Sequence, residues 1–397
     1  MNLCYICSEY PPFRHGGVGS ATQVFARAFA ARGHKVRVVG LYPADSIGQS
    51  EQSDDGIQVT RLPASTGRMG FLKDRMALYR TVAKWARAGE IDAVEVPDWE
   101  GQAAGWPSLP VPVIVRLHGS LTYFAAEMNR RATRVSCLIE SNSFHRADYC
   151  SSTSRYTAGL TEKLFGAHAS RPKILYNFVD VPATPTLAGR AANRVVFAGS
   201  LVEKKGVIPL MKAWGEAVRL CPGAELHVYG KDAAFQGGSM QEHLKSLLPA
   251  AAASSVIFHG HVTRQQVAEA FRSCRAAVFP SFSEAFSLVP LEAMAEGCPV
   301  IFSKRHSGPE LITPESDGLL VEPSNPSEIS RAIVRLLEDG ELAGRFGQAG
   351  SRMIRSRFSR EALIRQHESF FETCMSNYRR SASQMRALSR VRFTAHA

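Results

Sequence analysis

The chain has 397 residues, 45% of them hydrophobic and 21% charged, so its length and composition favour two globular domains and exclude a disordered or fibrous protein. No apolar run approaches the roughly 18–20 residues that span a bilayer, and the first residues lack the basic and apolar regions of a signal peptide. The formal net charge of +11 favours an anionic partner, namely nucleic acid, an anionic membrane or a phosphorylated substrate.

Short β-branched runs alternate with helical patterns along the first half of the chain. Strands are predicted at residues 3–7, 35–40, 56–61, 93–96, 113–117, 149–151 and 174–176. Helices are predicted around residues 21–32, 73–88 and 136–146. This alternation predicts an α/β fold with a mainly parallel, doubly wound sheet.

Two of the eight cysteines, Cys4 and Cys7, are close enough in sequence to form a redox or zinc site. They lie within the first predicted strand, however, and no second pair of cysteines has metal-ligand spacing. We therefore predict that both are buried, reduced thiols and that the protein is cytoplasmic.

Three glycines, Gly16, Gly17 and Gly19, lie between the first predicted strand and the first helix. Glycine at such a place lets backbone N–H groups approach an anion at a helix N-terminus. The loop is longer than the tight turn of a dinucleotide-binding fingerprint, and the Gly-Lys-Ser/Thr end of a Walker A motif is missing. The loop is therefore either a flexible turn or a phosphate contact, and nicotinamide chemistry and P-loop hydrolysis are disfavoured.

A basic segment, residues 68–87, mixes arginine and lysine with bulky apolar side chains. It is either a helix that rests on an anionic lipid surface, or an amphipathic helix that packs on its own domain and leaves a solvated basic face. The arginine-rich end, residues 379–397, would strengthen contact with an anionic surface. Nucleic acid is disfavoured as a partner because the chain lacks an aromatic–basic recognition motif.

The segment "VPATPTLAGRAAN", residues 181–193, interrupts the alternation and fits an interdomain linker. A second α/β series follows, with strands predicted at residues 194–197, 225–229, 255–258, 276–279, 299–302 and 318–321 and a last helix at about residues 359–380. We therefore predict domains at residues 1–180 and 181–360, followed by a C-terminal helix and basic tail at residues 361–397. A ligand is expected in the crevice between the C-terminal ends of the strands.

The stretch "PSFSEAFSLVPLEAMAEGCPVI" contains two glutamates, Glu284 and Glu292, with seven residues between them. Ser287 is predicted to cap a helix with proline in its first turn, so that Glu284 precedes this helix and Glu292 lies on its second turn. The amides around residues 286–288 would then point out of the helix N-terminus and could hold a diphosphate. Glu296 is predicted to be an exposed helix charge.

This stretch resembles the E-x7-E signature of the retaining family 4 glycosyltransferases, which have the GT-B fold. Other segments are similar to the same family over roughly residues 1–375, and these are "VRLHGS", "YNFVD", "FAGSLVEKKGV" and "DGLLVEP". The resemblance implies two Rossmann-like domains that face each other across a cleft, with the C-terminal helix returning to the N-terminal domain.

The resemblance also implies roles for residues at the donor site. Glu284 would bind hydroxyls of the donor sugar, Glu292 the ribose of the nucleotide, and His118 the transferred sugar near the reacting centre. Lys205 would neutralise the diphosphate leaving group. The other residues implied at the donor site are Gly16, Gly17, Ser200, His261, Val262, Phe286, Ser287 and Leu288.

One position departs from the family pattern. Ser200 stands where the family usually has an arginine, so a second cation for the diphosphate would have to come from Arg14 or Lys204. Without it, the chain could be a catalytically weak or inactive protein that binds sugar nucleotides or glycans. The sequence has no D-x-D motif for a metal, so a protein-borne charge is expected in its place and no cofactor is predicted.

The acceptor is less well defined by the sequence. Glu95 and Asp98 lie near the end of a predicted strand, where they contact acceptor hydroxyls or form a polar loop, and Asn177 is a further candidate. The implied function is transfer of a sugar from a UDP- or GDP-sugar to a glycan or lipid-linked acceptor. The expected setting is bacterial cell-surface polysaccharide synthesis at the inner face of the plasma membrane.

Overall fold

The computed structural model describes residues 1–13, 16–47, 50–67, 70–183 and 189–394, and it contains one large sheet in each half of the chain. The strands of the first sheet are β1 (Asn2–Ile6), β2 (Lys35–Tyr42), β3 (Glu51–Asp54), β4 (Ile57–Pro63), β5 (Ala93–Pro97), β6 (Val113–Leu117), β7 (Tyr149–Ser152) and β8 (Lys173–Ile174). Their order is β3-β4-β2-β1-β5-β6-β7-β8, and every neighbouring pair is parallel except β3 and β4.

The helices of this half are α1 (Gly17–Ala30), α2 (Gly70–Arg87), α3 (Leu121–Glu127), α4 (Arg134–Arg146) and α5 (Arg155–Phe165), with single 3₁₀ turns at Ala44–Ser46 and Trp99–Gly101. The inner strands are buried on both faces, as expected when helices cover a parallel sheet. Cys4 and Cys7, in and just after β1, are buried free thiols, as predicted, and burial raises the pKa of each to about 12.

The second sheet has six parallel strands in the order β13-β10-β9-β14-β15-β16, beside a small antiparallel pair of β11 and β12. These strands are β9 (Ala191–Ala198), β10 (Glu225–Tyr229), β11 (Ala234–Phe235), β12 (Gly238–Ser239), β13 (Val256–Gly260), β14 (Cys274–Phe279), β15 (Val300–Ser303) and β16 (Leu319–Val321). The helices are α6 (Val207–Leu220), α7 (Met240–Ser246), α8 (Ala250–Ala253), α9 (Arg264–Ser273), α10 (Leu288–Ala295), α11 (Gly308–Leu311), α12 (Pro326–Glu338), α13 (Gly340–Arg357) and α14 (Arg360–Thr394), with a 3₁₀ turn at Glu203–Lys205. The order of the strands reverses between β9 and β14, because β10 and β13 follow on one side of β9 whereas β14, β15 and β16 follow on the other. Open α/β sheets bind ligands at such a reversal point.

The last helix, α14, packs against the N-terminal domain. The Phe371 ring lies edge-on to Phe29 at 5.6 Å between centroids, and the His367 ring lies 4.7 Å from that of Phe25. His34 Nε2 is 2.9 Å from the Glu368 carboxylate. The predicted return of the C-terminal helix is therefore confirmed, and with it the two-domain α/β architecture. The exact domain boundaries remain predictions.

Several element boundaries differ from those predicted. The first helix begins at Gly17 rather than near residue 21, because the carboxylate of Glu9 accepts hydrogen bonds at its N-terminus and allows one more turn. The antiparallel edge strand β3 was not predicted, because its sequence, EQSD, has no apolar alternation. The last strand of the first sheet ends at Ile174, two residues before the predicted end.

Candidate functional site

The candidate site lies at the reversal point of the second sheet. Lys205 follows β9 and Glu284 follows β14, so the two adjacent strands bring together residues that are 79 positions apart in the chain. Lys205 Nζ donates to Glu284 Oε1 at 2.6 Å, and Ser281 Oγ donates to the same oxygen at 2.9 Å. The two residues to which the family resemblance gave roles at the donor site are thus in direct contact.

A glycine makes this contact possible. Gly206 has φ of 70° and lies so close to β14 that a Cβ atom there would be 1.7 Å from the carbonyl oxygen of Pro280. The carbonyl of Lys204 accepts from Phe282 N at 2.8 Å, which ties the lysine turn to the loop of Glu284. The spacing of lysine and glycine in "VEKKGV" is therefore a packing requirement as well as a chemical one.

The electrostatics of the pair favour charged side chains. Burial acts to raise the pKa of Glu284, but the charge and hydrogen bond of Lys205, helped by Lys204 and Ser281, outweigh it and hold the pKa below its ordinary value. Lys204 Nζ lies 4.1 Å from the centroid of the Phe124 ring, and burial beside Lys205 lowers its pKa. Lys204, one of the two candidates for a second cation, therefore lies near Lys205 with its ammonium against an aromatic ring. Arg14, the other candidate, lies outside the described residues.

The helix that follows, α10, differs from the prediction in two details. Ser287 is its N-cap residue and is buried, but its side chain makes no capping hydrogen bond. Glu296, predicted to be exposed, is buried and accepts two hydrogen bonds from the guanidinium of Arg272 at 2.8 and 3.1 Å. That prediction was wrong because α10 is covered by protein on nearly all sides, and an unpaired charge would be costly there.

Glu292 lies on the second turn of α10, as predicted. Its carboxylate is 3.5 Å from Arg264, the first residue of α9, and burial raises its pKa although Arg264 opposes that effect. His261 and Val262 immediately precede α9, just after β13, and His261 is exposed. Glu292, His261 and Val262 are thus connected through the start of α9.

The rest of the predicted donor residues line the strand ends nearby. Ser200 is exposed and follows Gly199, whose carbonyl lies against Gly230. Phe286 is half-buried, with its ring 6.0 Å from that of Tyr176, and Leu288 is half-buried at the start of α10.

The glycine loop of the first domain is occupied by a carboxylate of the chain itself. Gly16 N donates to Glu9 Oε2 at 3.0 Å and Gly19 N donates to Glu9 Oε1 at 2.6 Å. Gly17 has open space around its Cα. The N–H of Gly16, which was expected to face the donor diphosphate, therefore has an internal partner. The sequence analysis missed Glu9, because no sequence signal shows that a loop glutamate will accept hydrogen bonds from a helix N-terminus that begins seven residues further on.

His118 lies at the end of β6 and is partly buried. Burial and the nearby guanidinium of Arg116 lower the pKa of His118 to about 3, so its imidazole is neutral near pH 7. Asp98 accepts from His118 N at 2.9 Å and from Gly119 N at 3.1 Å. Glu140, to which the sequence gave no role, accepts from the amides of the helix that follows, α3.

This geometry corrects the view of the three acceptor candidates. Both oxygens of Asp98 accept from backbone amides, so Asp98 supports the His118 segment. Glu95 is buried within β5, where burial raises its pKa to about 7. Asn177 is buried and its side-chain oxygen accepts from Arg116 at 2.9 Å. The sequence placed these residues near strand ends, but it could not tell inward from outward side chains.

The N-terminal domain meets the glutamate loop directly. The hydroxyl of Tyr123, on α3, donates to the carbonyl of Glu284 at 3.2 Å. The hydroxyls of Ser154 and Thr157, at the start of α5, both donate to the carbonyl of Ala285 at 2.9 Å. The site is therefore built from both halves of the chain.

Within the described residues, no group of three His, Cys, Asp or Glu side chains is arranged to hold a metal ion. None of the described helices is both long and apolar enough to cross a membrane.

The structure thus has two Rossmann-like domains, with a lysine and a glutamate paired at the reversal point of the second sheet. Comparison with known proteins identifies the class to which this arrangement belongs. Residues 15–182 match the sequence model of Glycosyltransferase Family 4, and residues 188–353 match that of Glycosyl transferases group 1. The chain belongs to this family of glycosyltransferases, and it is a glycosyltransferase of the GT-B fold.

Individual relatives are similar over different shares of the chain. The glycogen synthase of Mycobacterium tuberculosis (strain H37Rv) is 24% identical over 389 residues, which cover 90% of this chain and 91% of that protein. The D-inositol 3-phosphate glycosyltransferase of Segniliparus rotundus is 32% identical over 168 residues, which cover 42% of this chain and 37% of that protein.

Solved structures share the fold. The sucrose-phosphate synthase of Thermosynechococcus elongatus superposes with a TM-score of 0.78 at 19% identity, covering 94% of this chain and 99% of that one. Anabaena HepE in complex with UDP and glucose superposes with a TM-score of 0.72 at 17% identity, covering 94% and 99%.

Proposed function

We propose that the chain transfers a sugar from a UDP- or GDP-sugar to a glycan or lipid-linked acceptor, with retention at the anomeric carbon and without a metal ion. The observation that carries this proposal is the contact between Lys205 and Glu284 at the reversal point of the second sheet. UDP is the first donor nucleotide to test, since the HepE structure contains UDP and glucose.

The chemistry requires opposite charges on the two sides of the breaking bond. As the sugar–phosphate bond breaks, negative charge develops on the leaving diphosphate and positive charge on the sugar ring. The ammonium of Lys205 has three N–H donors and gives one to Glu284, so it retains donors for a phosphate oxygen. Glu284 then faces the sugar side. In the proposed front-face reaction, the acceptor hydroxyl attacks the anomeric carbon while the leaving diphosphate oxygen takes its proton.

The neutral imidazole of His118 can donate or accept a hydrogen bond with a sugar hydroxyl. Glu292, held near Arg264, is proposed to bind the ribose, and His261 and Val262 to border the base. Loss of one well-placed charge contact on the diphosphate would cost on the order of 3 kcal/mol of barrier, which is about a hundredfold in rate.

Nucleotide binding is the first test. A thermal-shift panel of UDP, GDP, ADP and TDP should show one that stabilises the protein, by about 2.7 kcal/mol at about one hundred times its dissociation constant. The sugar of that nucleotide should then be transferred in the presence of EDTA, and proton NMR of the product should show the anomeric configuration of the donor. Loss of transfer in EDTA would contradict the metal-free reaction.

A second candidate function, a sugar-nucleotide-binding protein with little or no turnover, is favoured by Ser200 in place of the family's arginine. Glu284→Gln distinguishes the two candidates because it removes the carboxylate on the sugar side but retains the diphosphate contacts. Transfer that is lost in Glu284→Gln, with nucleotide binding retained, supports the enzyme. Glu292→Gln is the matched variant, and it should weaken nucleotide binding. A wild-type protein that binds nucleotide but never turns over would support the second candidate.

We further propose that the enzyme works at the inner face of a bacterial plasma membrane in cell-surface polysaccharide synthesis. Apolar side chains are exposed on two helices of the N-terminal domain: Phe71, Leu72 and Met76 on α2 (42–46% exposed) and Val135 and Leu138 on α4 (62% and 71%). The 3₁₀ turn Trp99–Gly101 connects the two helices, because Arg75 Nε of α2 donates to the Gly101 carbonyl at 3.1 Å while Gly101 lies against the Ile139 backbone of α4.

The charge of this surface fits an anionic lipid. Lys73 and Arg80 on α2, Arg131 before α4 and Arg134 at its start are all exposed, and Arg130, also exposed, pairs with Glu203 at 2.7 Å. The C-terminal half of α2 packs on its own domain through Leu78, Val82 and Trp85, whereas the exposed apolar residues lie in its N-terminal half. Residues 68 and 69 and residues 395–397, which belong to the predicted basic segments, lie outside the described residues.

Sedimentation with vesicles tests this surface. Phe71→Ser combined with Leu72→Ser should lower binding to vesicles with anionic lipid, whereas Leu220→Ser, an equally exposed apolar residue on the second domain, should not. Binding should fall as salt increases, and neutral vesicles and duplex DNA should not bind. Equal binding to neutral vesicles would refute the charge argument.

A further inference from the structure

One continuous segment of backbone next to the site is held by two buried acids. Asp98 accepts from His118 N and Gly119 N. Glu140, which is 2% exposed and lies on α4, accepts from Leu121 N at 2.8 Å through Oε1 and from Thr122 N at 2.9 Å through Oε2. Four amides within five residues are thus fixed by carboxylates from two distant parts of the chain.

Glu140 and Ser120 together accept hydrogen bonds from the first three N–H groups of α3. The first N–H groups of a helix have no partner within the helix, and Leu121 and Thr122 are the first two residues of α3. Ser120 Oγ accepts from the third, Tyr123 N, at 3.2 Å. The carboxylate also carries the charge that a helix N-terminus prefers. The orientation of α3 therefore depends on Glu140.

This helix connects His118 to the second domain. It follows His118 by only three residues, and its Tyr123 hydroxyl donates to the Glu284 carbonyl at 3.2 Å. The next residue, Phe124, lies under Lys204. A rotation of α3 would therefore move His118 relative to the loop that carries Glu284.

We propose that Glu140 is a positioning residue for the transfer reaction: it fixes α3 so that His118 and the Glu284 loop keep their productive separation. This inference rests on the proposed function for its catalytic part, whereas the fixing of α3 stands on the contacts alone. Displacement of a group by about 1 Å from its productive position costs about a hundredfold in rate.

The test compares Glu140→Gln with wild type. The glutamine amide has one acceptor oxygen, so one of the two backbone N–H groups loses its partner. We expect kcat for sugar transfer to fall about 10- to 100-fold, and the dissociation constant for UDP to stay within about twofold, because the proposed nucleotide contacts lie in the other domain. Amide hydrogen exchange at residues 118–127 should become faster than in wild type.

The matched control is Ser143→Ala. Ser143 lies on the same helix, is fully buried, and has a hydroxyl with no hydrogen-bond partner, so its loss tests general disturbance of α4. It should leave kcat and exchange at residues 118–127 unchanged. Should Glu140→Gln fail to fold, Leu121→Pro removes one donor to Glu140 at the helix position where proline is best tolerated, and should give a smaller loss of kcat with faster exchange in the same segment.

Three results would overturn the proposal: unchanged kcat in a folded Glu140→Gln variant, unchanged exchange at residues 118–127, or the same loss in Ser143→Ala. A wild-type protein that transfers no sugar in the donor panel would instead refute the proposed function. In that case exchange at residues 118–127 still decides whether Glu140 fixes α3.

Discussion

The pairing of Lys205 with Glu284 predicts an asymmetric cost of mutation. Lys205→Met leaves the Glu284 carboxylate buried with only the Ser281 hydroxyl and the nearby Lys204 charge to stabilise it. Removal of one partner of a buried ion pair costs about 3–5 kcal/mol, and we expect about 2–3 kcal/mol here because Lys204 remains and Lys205 is 24% exposed. Glu284→Gln should cost only about 1 kcal/mol, since the freed ammonium can turn toward water.

The cost of Lys205→Met should also depend on pH. In wild type the pKa of Glu284 lies below its ordinary value, so its stabilisation is present above about pH 4.5 and is lost as the pH falls through the folded pKa. Without Lys205, burial dominates and raises that pKa, so the variant should lose stability as the pH rises above about 4.5. The difference in the free energy of unfolding between Lys205→Met and wild type should therefore be small near pH 4.5 and largest near pH 8.

Urea unfolding at pH 5 and pH 8 measures both effects, and the double variant completes a thermodynamic cycle. The double variant should cost less than the sum of the single variants by about 1–2 kcal/mol, because the two residues are in contact. Lys304→Met is the control, since Lys304 pairs with Glu328 at 3.5 Å on the exposed surface of the same domain and should contribute no more than about 1 kcal/mol. A Lys205→Met cost that is equal at both pH values, or no larger than that of Glu284→Gln, would refute the reasoning.

Two further predictions concern stability. His367 is buried, and its Nε2 donates to the Tyr176 carbonyl at 2.9 Å. Burial holds the pKa of His367 well below its ordinary value, so the folded protein requires the neutral imidazole. The protein should therefore lose stability as the pH falls below about 6.5. His367→Gln should therefore be less harmful at pH 5 than at pH 8, by about 2 kcal/mol in urea unfolding, and a constant difference would contradict this. Gly206→Ala should lower the free energy of unfolding by about 1–3 kcal/mol, measured by thermal unfolding, because its Cβ would overlap the Pro280 carbonyl. Gly223→Ala is the control, since this glycine has a similar φ but open space around it, so that the variant loses only the energy of backbone strain. Equal losses in the two variants would contradict the predicted overlap.

The fold could be predicted because its signals are local. Alternating β-branched runs and helical patterns identify the strands of a parallel sheet wherever they lie, and the family resemblance supplied the pairing of two such domains. The positions of Lys205 and Glu284 after strands could be predicted for the same reason, whereas their proposed roles came from the family resemblance. Their contact then follows from the position of β9 beside β14.

The supporting residues could not be predicted, because their partners are distant in the chain. Glu140 contacts amides 18 and 19 residues upstream, and Glu296 pairs with Arg272, 24 residues upstream. For Glu296 a signal existed: the helix "LVPLEAMA" is apolar on nearly every side, which is typical of a helix buried all round. For Glu140 no such signal exists, since its helix has exposed residues as well as buried ones.

Two of the groups proposed to bind the donor diphosphate, the amide of Gly16 and the ammonium of Lys205, already contact an acid of the chain. Glu9 accepts from the N–H groups of Gly16 and Gly19, and Glu284 accepts from Lys205. The two cases differ chemically, because an N–H group has one proton to give and an ammonium has three. A phosphate oxygen can therefore join Glu284 at Lys205, but it must displace Glu9 to reach the amide of Gly16. It follows that Lys205 is the stronger candidate for the diphosphate, and that the glycine loop serves first to close the start of α1.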